Sequence, residues 1–117
     1  MRFAVLAASF LVVPAFVGAD PVSLKKGERI VFLGDSITQA GAGKNGYVTL
    51  IRQALTEKHK DLGIEVIGAG ISGNKVPDLQ KRLERDVLKK KPTLVVIYIG
   101  INDVWHGERD PKRGTLP

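Results

Sequence analysis

Three short runs of almost wholly apolar residues, each reaching a glycine, alternate with two amphipathic stretches, and that alternation leaves few folds open. The first run is Arg29-Ile30-Val31-Phe32-Leu33-Gly34, the second is Ile64-Glu65-Val66-Ile67, and the third spans 93–99. Runs this short, with apolar residues pointing both ways, predict buried strands. Between the first two, the stretch 46–60 carries Val48, Ile51 and Leu55 three and four apart. That spacing predicts an amphipathic helix, which Gly63 stops. Between the second and third, 76–91 carries Leu79, Leu83, Val87 and Leu88 as its apolar stripe, and Pro92 ends it. The stretch 100–117 is punctuated by glycine and proline and reads as loop. The order β-α-β-α-β calls for a parallel sheet with helices on both faces and right-handed crossovers. Ligands of such sheets bind beyond the carboxyl ends of the strands, where strand order reverses. The loops 34–45, 68–75 and from 100 onward are therefore where chemistry is expected.

The first 19 residues stand apart from this pattern. Arg2, an apolar run over 3–13, Pro14, and the small residues Val17-Gly18-Ala19 before Asp20 have the layout of a secretory leader. The expectation is cleavage after Ala19, a folding part at 20–117, and a secreted or periplasmic location. The apolar run is shorter than the roughly 20 residues a membrane span requires, so no stable insertion is expected after cleavage. The chain has no cysteine, so an exported domain must rely on packing, and thiolate nucleophiles and thiolate metal sites are excluded. The net charge of +6 invites a nucleic-acid partner. However, Lys89-Lys90-Lys91 fall at the C-terminus of a predicted helix, where cations suit the helix dipole, and no aromatic residues are interleaved for base stacking. No nucleic-acid partner is expected.

The first loop reads Gly34-Asp35-Ser36-Ile37-Thr38. A serine just past a buried strand faces the crevice from a rigid support, and it becomes a nucleophile if a base and oxyanion donors converge on it. The same residues could instead cap a following turn. The second loop, Gly68-Ala69-Gly70-Ile71-Ser72-Gly73-Asn74, matches the glycine pattern of a dinucleotide site. It lacks the immediate helix start, and no acid stands at the tip of the next strand before Asp103. Gly73 could equally bring a backbone N–H to a developing negative oxygen, or simply form a turn. A phosphate loop is excluded, because Gly43-Lys44 is followed by Asn45. The third loop, Gly100-Ile101-Asn102-Asp103-Val104-Trp105-His106, offers the Asn102 amide as a donor to the same oxygen, or as the centre of an Asx turn.

Taken in order, Gly34-Asp35-Ser36-Ile37-Thr38, Ile71-Ser72-Gly73-Asn74 and Gly100-Ile101-Asn102-Asp103 resemble the nucleophile, glycine and G-x-N-D blocks of the SGNH or GDSL hydrolases. The resemblance covers nearly all of 20–117 and about the first half of a family domain. It implies a flavodoxin-like α/β/α sandwich with a parallel sheet, of which only the first β-α-β-α-β portion is present. It also implies ester hydrolysis through Ser36, with the backbone N–H groups of Ser36 and Gly73 and the side chain of Asn102 as oxyanion donors. The substrate would be a small-molecule or carbohydrate ester, with no cofactor and no metal. The family's base arrives on a later D-x-x-H block, so the chain reads as truncated and inactive by itself. Two histidines are present. His59 lies in a charged helix end and reads as solvated. Asp103-Val104-Trp105-His106 spells D-x-x-H, but it is fused to the G-x-N-D block and reads as a decoy. Two other readings change the function: a binding module of the same fold, for a carbohydrate or ester, that lost its base, and a dinucleotide-binding domain.

Overall fold

The computed structural model describes residues 23–115, so the expected leader lies outside the described residues. Its main elements are β1 (Arg29–Gly34), α1 (Ser36–Gly41), α2 (Tyr47–Lys58), β2 (Glu65–Gly70), α3 (Val76–Asp86), β3 (Leu94–Tyr98) and α4 (Ile101–Arg109). Short 3-10 turns at Lys60–Leu62, Leu88–Lys90 and Pro111–Arg113 close α2, α3 and α4. The strands form one parallel sheet in the order β2-β1-β3. No helix among the described residues is long and apolar enough to cross a membrane.

The central strand explains the apolar runs. Ile30 and Phe32 of β1 pack with Val48 and Val66 on one face, covered by Tyr47, Ile51 and Leu55 of α2. Val31 and Leu33 point the other way and pack with Leu79 and Val87, with Ile67, Ala69, Val95 and Ile99 around them. Successive residues of a strand face opposite sides, so a strand with a helix on each face must be apolar at every position. The helix over β1 on one face is α2 and on the other α3, which makes three layers. The α/β class, the parallel sheet and the β-α-β-α-β order are as the sequence predicts.

Three details differ. The α3 stripe is not Leu79, Leu83, Val87 and Leu88: Leu83 and Leu88 are exposed, while Arg82 is buried between Leu79 and Val87. The stretch from 100 onward is not all loop, because α4 occupies Ile101–Arg109. Its nine residues begin after Gly100 and include Gly107, so glycine punctuation concealed one short helix. A further six-residue helix, α1, follows β1 directly and begins at Ser36.

Candidate active site

The turn out of β1 fixes Ser36. Asp35 is buried and caps α1, its carboxylate accepting the Ile37 N–H at 2.9 Å. Capping and catalysis are thus not competing readings of this loop: Asp35 caps, and Ser36, the first residue of the helix, stays exposed at the carboxyl end of the central strand. Gly34 precedes them because nothing larger fits. A Cβ there would overlap the Thr38 hydroxyl and the Tyr98 carbonyl. Thr38 is buried one turn on, and its hydroxyl shares a 2.9 Å hydrogen bond with the Tyr47 hydroxyl, tying α1 to α2.

The glycine loop is fastened to this helix. The Ile71 N–H donates to the Gly34 carbonyl at 3.1 Å, and the Ser72 N–H donates to Gln39 Oε1 of α1 at 2.7 Å. The chain then turns, with the Asn74 N–H donating to the Ile71 carbonyl and Gly73 at φ +76°, a conformation open to glycine at little cost. Among the described residues, the backbone N–H groups of Ser36 and Gly73 donate to no protein acceptor. Asn102 sits buried in the first turn of α4, and its Nδ2 donates to the Asn74 carbonyl at 3.0 Å. An amide nitrogen carries two hydrogens, so a second donor remains beside the glycine loop. Ser36, Gly73 and Asn102, singled out from the sequence, are therefore joined through two hydrogen bonds, Gln39 to Ser72 and Asn102 to Asn74.

The structure separates the D-x-x-H look-alike from this arrangement. Asp103 is buried, and its carboxylate accepts the Val76 N–H at 3.1 and 3.2 Å and the Thr115 hydroxyl. Among the described residues, no side-chain hydrogen bond joins His106 to Asp103. Its ring lies beside that of Trp105, which in turn stacks beneath the Arg109 guanidinium at 4.2 Å. His59 caps the end of α2, next to the Lys60–Leu62 turn, whose Leu62 carbonyl accepts the Gly27 N–H. That is the end of the sheet where β1 begins, opposite Ser36.

The same bonds argue against a dinucleotide. A pyrophosphate needs free N–H groups at the start of the helix. Here the Val76 N–H is taken by Asp103 and the Lys75 N–H by Asp78 at 3.1 Å. Two carboxylates at the N-terminus of α3 already occupy the place and supply the charge that a phosphate would bring. The backbone N–H of Lys75 holds the Asp78 carboxyl below its usual value.

One participant was not foreseen. Arg82 donates from Nη2 to the Gly34 carbonyl at 2.8 Å and from Nη1 to the Ala69 carbonyl at 2.9 Å. Its Nε donates to Asn74 Oδ1 at 2.7 Å, and Nη1 also meets Asp86 at 2.9 Å. The signal was present in the sequence: an arginine three residues after Leu79, on the inward side, with an acid four residues later. Asp86 also receives Arg85, and that bond, followed by the one from Arg82, holds its carboxyl at about 2. The folded-state value lies below the unfolded one, so this stabilisation is complete above about pH 4 and is lost as pH falls through about 2. Helical circular dichroism should be flat at neutral pH and decline across that window. Asp86→Asn should weaken the decline and cost about 3 kcal/mol at neutral pH, because the Arg82 charge is left buried without its partner. An unchanged acid transition in Asp86→Asn would show that other carboxylates control it.

The family model for GDSL-like lipases and acylhydrolases matches residues 32–115. The chain belongs to this family. An acetylxylan esterase of Geobacillus stearothermophilus is 42% identical over 95 residues, covering 72% of this chain and 43% of that enzyme. Among solved structures, the acetyl xylan esterase AlAXEase superposes with a TM-score of 0.69 at 49% identity, covering 74% of this chain and 43% of that one. The acetylxylan esterase Axe2 of G. stearothermophilus superposes with a TM-score of 0.71 at 37% identity, covering 80% and 49%. The chain thus spans less than half the length of these relatives, and within that span it shares their fold.

Proposed function

We propose that this chain supplies the nucleophile and the oxyanion donors of a serine esterase that removes acetyl groups from carbohydrate, in the manner of the acetylxylan esterases it is similar to. The observation that carries the reading is the tethered loop at Gly73. It is bound on one side to the helix that begins with Ser36 and on the other to Asn102. Ser36 Oγ attacks the acyl carbon and gives its proton to a base. The carbonyl oxygen becomes negative and meets the N–H groups of Ser36 and Gly73 and the remaining N–H of Asn102. Collapse breaks the bond to the sugar oxygen, which takes the proton from the base and leaves as a hydroxyl, with acetyl left on Ser36 Oγ. Water, giving a proton to the same base, then attacks the acetyl carbon; the bond to Ser36 Oγ breaks, Oγ takes that proton, and acetate is released.

We assign the base to residues outside 23–115. Asp103 is committed to Val76 and Thr115, and neither histidine is joined to an acid by a hydrogen bond among the described residues. Variants of Axe2 named as catalytic mutants replace an aspartate and, three positions on, a histidine. In the protein as its own cells make it, Asn102→Ala should lower kcat by about 10²–10³-fold on an aryl acetate, because one oxyanion donor is removed. His106→Ala should change kcat by less than about tenfold; a loss matching that of a removed base would make Asp103 and His106 the dyad after all. The export reading rests on the residues before Asp20 alone. N-terminal sequencing of exported protein should begin at Asp20, and a retained Met1 would contradict it.

A further inference from the structure

Arg82 touches none of the groups that would meet an ester, yet it is 6% exposed and spends every donor nitrogen on the framework beneath them. Its acceptors lie on the three segments that carry the oxyanion donors or support them. Gly34 stands two residues before Ser36. Ala69 is one residue from the end of β2, the strand that leads into the glycine loop. Asn74 follows Gly73 and offers its own carbonyl to Asn102. A guanidinium is planar, and its N–H groups leave in fixed directions, so three acceptors bound to one such group cannot shift independently. A lysine at this place would carry its three donors on one freely turning nitrogen and could not hold acceptors spaced around the edge of a guanidinium. Asp86 balances the charge, which leaves Arg82 acting through geometry.

We propose that Arg82 is the positioning residue of the oxyanion hole, holding the Ser36 turn, the Gly73 turn and, through Asn74, the Asn102 amide in one frame; this rests on the esterase reading above. It follows that the shape of the guanidinium matters and that its charge alone does not suffice. Arg82→Lys keeps the charge and loses the frame.

The test uses the protein as its own cells make it, labelled with ¹⁵N, and an aryl acetate as substrate. In Arg82→Lys the Gly73 amide and the Asn102 side-chain amide should move by more than about 0.2 ppm in ¹H, and the Asn102 amide, bonded to the Asn74 carbonyl, should lose at least about tenfold in exchange protection, while the β1 and β2 amides of Val31 and Val66 keep theirs. In the same variant kcat should fall about 10- to 100-fold with KM within about threefold, since donors displaced by an ångström or less serve the transition state and not the bound ester. Should Arg82→Lys fail to fold, Asn74→Ala removes only the Nε acceptor and should move the same two signals. Unmoved Gly73 and Asn102 signals in a folded variant would overturn the proposal, as would a rise in KM at unchanged kcat. An unmutated protein that turned over no ester would instead remove the esterase reading, and the spectra would still decide what Arg82 holds.

Discussion

Ser36→Ala should lower aryl acetate turnover by about 10⁴-fold or more while leaving the fold intact, because the remaining oxyanion donors accelerate only the residual attack of water. The side chain is exposed and makes no hydrogen bond among the described residues. Removing its hydroxyl therefore leaves no buried polar group unpaired and no cavity. Helical circular dichroism and the thermal midpoint should match those of the parent. A large loss of turnover together with a large loss of stability would mean that Ser36 holds the turn and does not do the chemistry. Wild-type turnover in Ser36→Ala would mean that another group attacks the ester.

Residues 20–117 produced by themselves should self-associate. β1 is hydrogen-bonded on both sides, but β3 lies at an edge of the sheet among the described residues. Leu94, Val96, Ile97 and Tyr98 are 40%, 37%, 61% and 55% exposed, and Ile97 and Tyr98 line an apolar groove with Ile37 and Tyr47. An apolar strand with a free row of N–H and C=O groups is a template for another strand. Each such side chain is already about half covered, so full cover gains roughly 1 kcal/mol, and the four together a sizeable share of the roughly 5–15 kcal/mol that stabilises a domain. Light scattering should give a mass above that of one copy of the segment, rising with concentration. Ile97→Lys should shift the population toward monomer, since a charge on an edge strand opposes pairing. A monomer that melts sharply at every concentration would show that the edge needs no cover.

The parts of the fold that could be read from the sequence are those in which one constraint acts. β1 is covered on both faces, so each of its side chains must be apolar, and the run from Ile30 to Leu33 says so. α2 meets the sheet along one stripe, and Val48, Ile51 and Leu55 give its period. α3 obeys two constraints at once. Its inward side must cover β1, which Leu79 and Val87 do, and must also bind carbonyls at the ends of β1 and β2, which Arg82 does. A rule that places apolar residues inward assigns that position to Leu83 and passes over the arginine. The blocks at Ser36, Gly73 and Asn102 were legible as neighbours because each lies in the connection that follows a strand, and the Gly73 turn has the positive φ that a glycine accepts. The bonds that gather them were not, since Gln39 to Ser72 and Arg82 to Asn74 join residues 33 and 8 positions apart through side chains with no fixed spacing. Asp103 shows the opposite hazard. Its D-x-x-H spacing suggests a base, whereas its carboxylate binds the first N–H of α3.

The central claim is that Ser36 forms the acyl intermediate, and covalent capture tests it most directly. The protein as its own cells make it would be treated with a fluorophosphonate, digested, and its peptides mapped by mass. The account predicts one phosphonylated residue, Ser36, whose labelling is slowed by an acetylated xylooligosaccharide and parallels the loss of aryl acetate turnover. Ester turnover that persists after Ser36 is fully labelled, or is lost through label on a different residue, would contradict it.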